Sequence, residues 1–184
     1  MLLTKKQTFV LFILLLSLNL YSQTKKTNSL NEQKKPSTLY ANYDFWIGDW
    51  DVSWKEKNGD KGKGRNTITK ILNGNALQEK FIVTDGAGIG FKGQSISYIE
   101  KSTNQWKQLW VDNRGISYEF FGDFQNGDPK FCTKSIERNG KTIFYRMVFK
   151  NISENTLIWD WEKSIENQQS WELIWRINYN RIEL

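Results

Sequence analysis

The chain contains no histidine and only one cysteine, Cys132. The missing histidine removes the commonest metal ligand and the commonest general base. It also excludes His-ligated haem and the Ser-His-Asp and Cys-His mechanisms. A single cysteine excludes any disulfide within the chain. A folded basic surface is missing as well, despite a formal net charge of +6. Lys5 and Lys6 sit at the start, and residues 23–38 hold Lys25, Lys26, Lys34 and Lys35 against Glu32. From residue 39 onward, 20 basic residues face 19 acidic ones. A nucleic-acid-binding domain gathers its basic residues on the folded face, so nucleic acid is excluded as a partner. Asp123 and Asp128 share one loop but lack the dense oxygen-ligand spacing of a calcium site, and they read as turn residues. No metal and no cofactor is expected.

Long apolar runs are equally scarce. One begins at Phe9-Val10-Leu11-Phe12-Ile13-Leu14-Leu15-Leu16 and fades by Leu20, too short to span a membrane. With Lys5 and Lys6 ahead of it, residues 1–22 read as a secretory signal cleaved after Ser22. No Cys lies there for lipid attachment, so no stable membrane anchor is expected after cleavage. Residues 23–39 show no apolar periodicity and read as a flexible polar linker, leaving residues 40–184 as the folded domain. The expected location is periplasmic or extracellular.

What the chain has in excess is aromatic surface: nine Trp, seven Tyr and eleven Phe in 184 residues. Such side chains fit strands well, and in this number they suit either a β-rich core or a lined cavity. In Gly48-Asp49-Trp50-Asp51-Val52-Ser53-Trp54 the large apolar groups alternate with polar ones, the period of a strand with one buried face. Tyr40, Tyr43, Phe45 and Trp46 cluster ahead of it and predict a short helical turn closing one end of a barrel. Beyond it, apolar alternation and turn signals take turns. Asn58-Gly59-Asp60, Asn73-Gly74, Asp85-Gly86-Ala87-Gly88, Asn113-Arg114-Gly115, Gln125-Asn126-Gly127-Asp128 and Asn139-Gly140 separate the segments. About ten strands follow, including Arg65–Leu72, Leu77–Thr84 and Lys130–Glu137, and no stretch offers a helix of three turns. Short connections between so many strands favour an all-β, antiparallel up-and-down barrel over a two-sheet sandwich.

Several motifs carry a resemblance. They are Phe45-Trp46-Ile47-Gly48-Asp49-Trp50, Gly74-Asn75-Ala76-Leu77-Gln78-Glu79, Gly93-Gln94-Ser95, and Trp106-Lys107-Gln108-Leu109-Trp110-Val111-Asp112-Asn113 with Gly115. Together with the late Ser164, Trp171, Tyr179 and Arg181, they resemble a bacterial family of lipocalin-like proteins over residues 43–182. The resemblance implies a calycin-type barrel and no established activity. Members often carry an Asp-Gly-Gly turn before the late Trp, where this chain has Ile165-Glu166-Asn167-Gln168-Gln169.

Strand parity sorts the candidate residues. Leu77, Glu79, Phe81 and Val83 share one face, as do Trp106, Gln108 and Trp110. Leu157, Trp159 and Trp161 oppose Asp160 and Glu162, and Trp171, Leu173, Trp175 and Ile177 oppose Glu172 and Arg176. With the apolar sets inward, Glu79 and Gln108 point inward too. A buried carboxylate needs a cationic partner, donors or a raised pKa. Arg146 is the expected partner, although both faces of its strand are apolar: Phe144 and Val148 on one, Ile143, Tyr145, Met147 and Phe149 on the other. The two form a structural ion pair, or one of them simply faces water, or they make the polar end of a pocket. Ser95 and Ser97, beside Gly93, either leave room for a ligand or accommodate a bulky neighbour. Arg176 or Arg181 is expected to stack on Trp50 at the closed end.

The candidate ligand-binding set is therefore Glu79, Ser95, Trp106, Gln108, Trp110, Tyr118, Arg146, Trp159 and Trp161, with no catalytic residue assigned. The expected partner is a small lipophilic or amphiphilic molecule, and the sequence assigns no oligomeric state. Two other functions fit the same residues. One is a barrel isomerase or lyase using Glu79 or Tyr118 as acid–base group and Arg146 to stabilise an anion. The other is an interaction domain whose barrel is filled by its own side chains.

Overall fold

In the first strand, β1 (Gly48–Lys55), Trp50, Val52 and Trp54 are buried and Asp51 and Lys55 are exposed, so the period of two survives folding intact. The computed structural model describes residues 42–124 and 127–183. The expected signal (1–22) and linker (23–39) lie outside the described residues, as do Tyr40 and the turn residues Gln125 and Asn126. A 3₁₀ turn at Asp44–Trp46 leads into β1. The other strands are β2 (Lys61–Ile71), β3 (Ala76–Asp85), β4 (Lys92–Glu100), β5 (Gln105–Asp112) and β6 (Ser117–Asp123). They continue with β7 (Lys130–Cys132), β8 (Ile136–Arg138), β9 (Lys141–Lys150), β10 (Thr156–Ile165) and β11 (Glu172–Arg181).

Each strand pairs antiparallel with the next in sequence, except that β7 and β8 both lie along one edge of β9. The other edge of β9 carries β10, and β11 closes the ring on β1 through Trp50↔Arg181 and Val52↔Tyr179. The result is a closed ten-strand, up-and-down antiparallel barrel with β8 as an extra piece. Closure removes the free edges that an open sheet of this length would expose.

Two sequence expectations change. The single strand expected at Lys130–Glu137 is broken at Thr133, whose N–H reaches the Tyr145 carbonyl at 2.9 Å while its hydroxyl accepts the Tyr145 N–H at 3.0 Å. The hydroxyl replaces a backbone acceptor, and the chain leaves the ladder between β7 and β8. The second strand also starts earlier than Arg65. In Lys61-Gly62-Lys63-Gly64 the glycines face the indole of Trp54 and the side chain of Val52 across the β1–β2 pair.

One end of the barrel is packed solid by the residues around the 3₁₀ turn. Tyr43 stacks on Phe131 with centroids 4.3 Å apart and meets Trp106 edge-on at 5.1 Å. Its hydroxyl donates to the Lys130 carbonyl at 3.0 Å. Trp46 meets Phe149 edge-on at 5.1 Å, and Trp50 Nε1 donates to the Trp46 carbonyl at 2.8 Å. Arg181, one of the two arginines expected there, lies over the Trp50 ring at 4.0 Å. Its guanidinium donates to the carbonyls of Ile47 and Glu154 at 2.6 Å each, and of Phe45 at 3.1 Å. Gly48 turns the chain with φ +135°, and a Cβ there would collide with that guanidinium. Glycine is required at this position on both counts.

Candidate ligand-binding site

Above the packed end, the inward faces of β2 to β5 and β11 carry polar groups instead of aromatic ones: Asn66, Glu79, Ser95, Ser97, Gln108 and the hydroxyl of Tyr179. All are buried. Asn66 Nδ2 donates to Glu79 Oε1 at 2.8 Å and to the Tyr179 hydroxyl at 2.9 Å. Ser95 Oγ donates to the other Glu79 oxygen at 2.7 Å. On the neighbouring strand, Gln108 Nε2 donates to Ser97 Oγ at 2.9 Å. Two acceptors in this layer, Asn66 Oδ1 and Gln108 Oε1, have no hydrogen-bond partner among the described residues.

No Lys or Arg among the described residues pairs with Glu79. Burial pushes its carboxyl from 4.5 up to about 7, against the lowering effect of the hydrogen bonds from Ser95 and Asn66. Tyr179 is also pushed well up, first by burial and then by the nearby Glu79 charge.

A cavity of about 140 Å³ opens above this layer, with Glu79, Phe120, Met147 and Tyr179 lining it. Its upper walls are Trp159 and Trp161 of β10, Trp175 of β11, Trp110 of β5, Tyr118 of β6 and Phe81 of β3. The alternation along β10 places the Trp159 and Trp161 rings nearly parallel at 6.1 Å, and Tyr145 stacks on Trp161 at 5.2 Å. Trp175 stands edge-on to Trp159 at 6.0 Å. Trp110 lies over Gly93, where a Cβ would strike its indole ring. The small residue on β4 thus accommodates a bulky neighbour. The ladder between β6 and β7 has three pairs, from Phe121↔Cys132 to Asp123↔Lys130, and Tyr118 lies beyond it. The four indoles and Tyr118 are only half-buried, whereas Glu79 and Phe81 are each 6 % exposed, so the cavity is open at the indole end and closed at the carboxylate end.

Of the residues singled out in sequence, Glu79, Trp110, Tyr118, Trp159 and Trp161 border one cavity. Ser95 stands directly behind it on the Glu79 carboxylate. Gln108 points inward but sits with Ser97 away from the lining. Trp106 points inward too, yet packs into the closed end against Tyr43.

Arg146 is not a partner of Glu79. Tyr145, Met147 and Phe149 take the inner face of β9, which puts Arg146 outside. There its Nε donates to Glu162 Oε2 at 2.6 Å, and its guanidinium covers the Trp171 ring at 4.0 Å. An anion-stabilising arginine beside Glu79 therefore does not form. Trp171 and Leu173 also leave the expected inward set. A bulge in the β10–β11 pairing takes Trp161↔Trp175 to Glu162↔Leu173, so Trp175 and Ile177 stay inside while Leu173 is exposed. An extra residue on one strand reverses the parity of everything beyond it.

The outer face of β9 to β11 carries an ion-pair ladder. Asp160, fully buried, receives Arg176 Nε and Nη2 at 2.7 Å each and Lys150 Nζ at 2.8 Å. Lys150 also reaches Glu162 at 3.1 Å. Burial alone would raise the Asp160 carboxyl, but hydrogen bonds from Arg176 and Lys150 outweigh it and hold the group below its usual range.

Asn66, Phe81, Phe120, Met147, Trp175 and Tyr179 belong to the site without having been proposed for it. Parity does place Phe81 with Glu79, and Trp175 with the inward apolar set. Asn66 had no such signal, since a lone Asn in a Thr-rich segment reads as polar surface.

No family model matches the chain, and no curated protein matches it. Among solved structures, a redesigned beta barrel matches with 11 % sequence identity and a TM-score of 0.39. The match covers 76 % of this chain and 94 % of that one.

Proposed function

We propose that this chain is an exported, lipocalin-like barrel that holds a small hydrophobic or amphiphilic molecule in its aromatic-lined cavity. The observation that carries the reading is the cavity itself: apolar ring walls at the open end and one buried carboxylate at the closed end. Pockets for small ligands commonly combine apolar walls with a few polar groups that fix orientation. A volume of about 140 Å³ suits one aromatic ring or a branched head group, with any longer tail leaving by the open end. The lipocalin-like part rests on the sequence resemblance, with the Gly48-Asp49-Trp50 entry and the Arg181 stack on Trp50 in support. Export rests on the charged and apolar pattern of residues 1–22.

Native mass spectrometry of protein purified from the exported fraction tests the reading, combined with displacement of a solvatochromic apolar dye. A co-purified lipophilic mass, or saturable dye binding lost on Trp161→Ala, supports it. Neither signal in a folded preparation contradicts it.

A further inference from the structure

A carboxylate closed away from water and left without a basic partner sets a requirement on whatever enters the cavity. Glu79 receives two neutral donors, Asn66 Nδ2 and Ser95 Oγ, which satisfy part of its hydrogen-bonding capacity without neutralising its charge. Among the described residues, no Lys or Arg lines the cavity. Three basic side chains of nearby strands and turns are engaged elsewhere: Arg146 with Glu162, Lys150 with Asp160, and Arg114 of the β5–β6 turn over the Phe91 ring at 4.8 Å. Trp110, Trp159, Trp161 and Trp175 line the same cavity as the carboxylate, and the face of an indole ring, unlike its edge, is electron-rich.

Indole faces attract cations through the ring quadrupole, more strongly where water is excluded. An anionic head group, by contrast, would meet a like charge with no counter-charge. A neutral apolar group would fill the space but leave the carboxylate, once ionised, uncompensated.

We propose that the molecule held in this cavity carries a small organic cation, a protonated amine or quaternary ammonium, whose charged head sits between the indole walls and Glu79. The proposal rests on the ligand-binding reading given above and narrows it to one chemical class. Asn66 Oδ1, on the side chain that bonds Glu79 and without a hydrogen-bond partner among the described residues, fits the same chemistry, because an acceptor there adds negative potential.

Three soluble molecules of one shape separate charge from size: choline (cationic), 3,3-dimethylbutan-1-ol (neutral) and 3,3-dimethylbutanoate (anionic). Each is titrated into the folded protein at pH 8, with tryptophan fluorescence and calorimetry as readouts. Choline is expected to bind roughly tenfold or more tighter than the alcohol, with the anion weaker than both. Glu79→Gln should bring choline and the alcohol to within about twofold of one another, since the amide keeps the size and loses the charge. Trp161→Leu provides a second variant that leaves the buried carboxylate and its hydrogen bonds in place, and should weaken choline more than the alcohol. Equal or tighter binding of the alcohol by the unaltered protein overturns the cation proposal and leaves an apolar pocket standing. If the protein binds none of the three and no apolar dye either, the ligand-binding reading falls with it.

Discussion

Asn66 holds Glu79 and Tyr179 together through one amide nitrogen, 2.8 Å from the carboxylate and 2.9 Å from the phenol oxygen. The bridge ties β2, β3 and β11 across the barrel interior. It also leaves the carboxyl with neutral neighbours on every side: Asn66 from β2, Ser95 from β4 and Tyr179 from β11.

A consequence appears in the pH dependence of stability. The folded-state pKa of Glu79 is raised from 4.5 to about 7, so the folded protein holds this proton more tightly than the unfolded chain. Its contribution is complete below about pH 4.5 and is lost as pH rises towards 7, a difference of about 3 kcal/mol. Glu79→Gln removes that loss. Urea titrations of both proteins at pH 4.5 and pH 8 should show the variant gaining on the parent at pH 8 by roughly 2–3 kcal/mol. An equal difference at both pH values would place Glu79 in contact with water.

The closed end makes a separate prediction. Trp50→Ala should cost roughly 3–5 kcal/mol, as expected for emptying a large aromatic site in a core. Arg181→Lys keeps the charge but cannot reproduce the fork that reaches the Ile47, Phe45 and Glu154 carbonyls, and should cost about 1–3 kcal/mol. Thermal denaturation of Trp50→Ala, Arg181→Ala and their double variant measures the coupling between the two side chains. A value of about 0.5–2 kcal/mol is expected from the cation–π contact, and additivity would argue against it.

On the outer face, Asp160 is fully buried while the Arg176 side chain is 48 % exposed. Arg176→Ala leaves the carboxylate with Lys150 alone and should cost about 2 kcal/mol at pH 7, below the range for a fully buried pair because the guanidinium is partly hydrated. The Asp160 carboxyl is held below its usual value, so the stability it supplies is present above about pH 4 and fades as pH falls. The deficit of Arg176→Ala should therefore shrink by pH 3. Asp160→Asn should cost less than Arg176→Ala at pH 7, because the cations it releases can return to water.

The barrel and most inward faces were legible because alternation with a period of two survives wherever a strand is regular. Glu79 with Phe81, Gln108 with Trp106 and Trp110, and Trp159 with Trp161 all kept their faces. Parity failed at local irregularities that no composition rule marks. The bulge between Leu173 and Trp175 reversed Trp171 and Leu173, and the Thr133 hydroxyl broke one expected strand into two. On β9, both faces are apolar, so parity alone left the direction of Arg146 open. Glu162, directly across the β9–β10 pair, and Trp171 decide it. Asn66 was hidden for another reason: its importance comes from Glu79 and Tyr179, thirteen and 113 residues away in the chain.

Methionine offers the most direct test of the central claim that the cavity above Glu79 receives a ligand. The sequence has two methionines, Met1 in the expected signal and Met147 on the cavity wall. Protein labelled with ¹³C on its methionine methyl groups, after removal of the signal, should give one resonance, that of Met147. Titration with an aromatic ammonium such as benzyltrimethylammonium should shift that resonance by ring currents and saturate at one equivalent. A bound probe that leaves the Met147 methyl unmoved would place the ligand elsewhere and contradict the account.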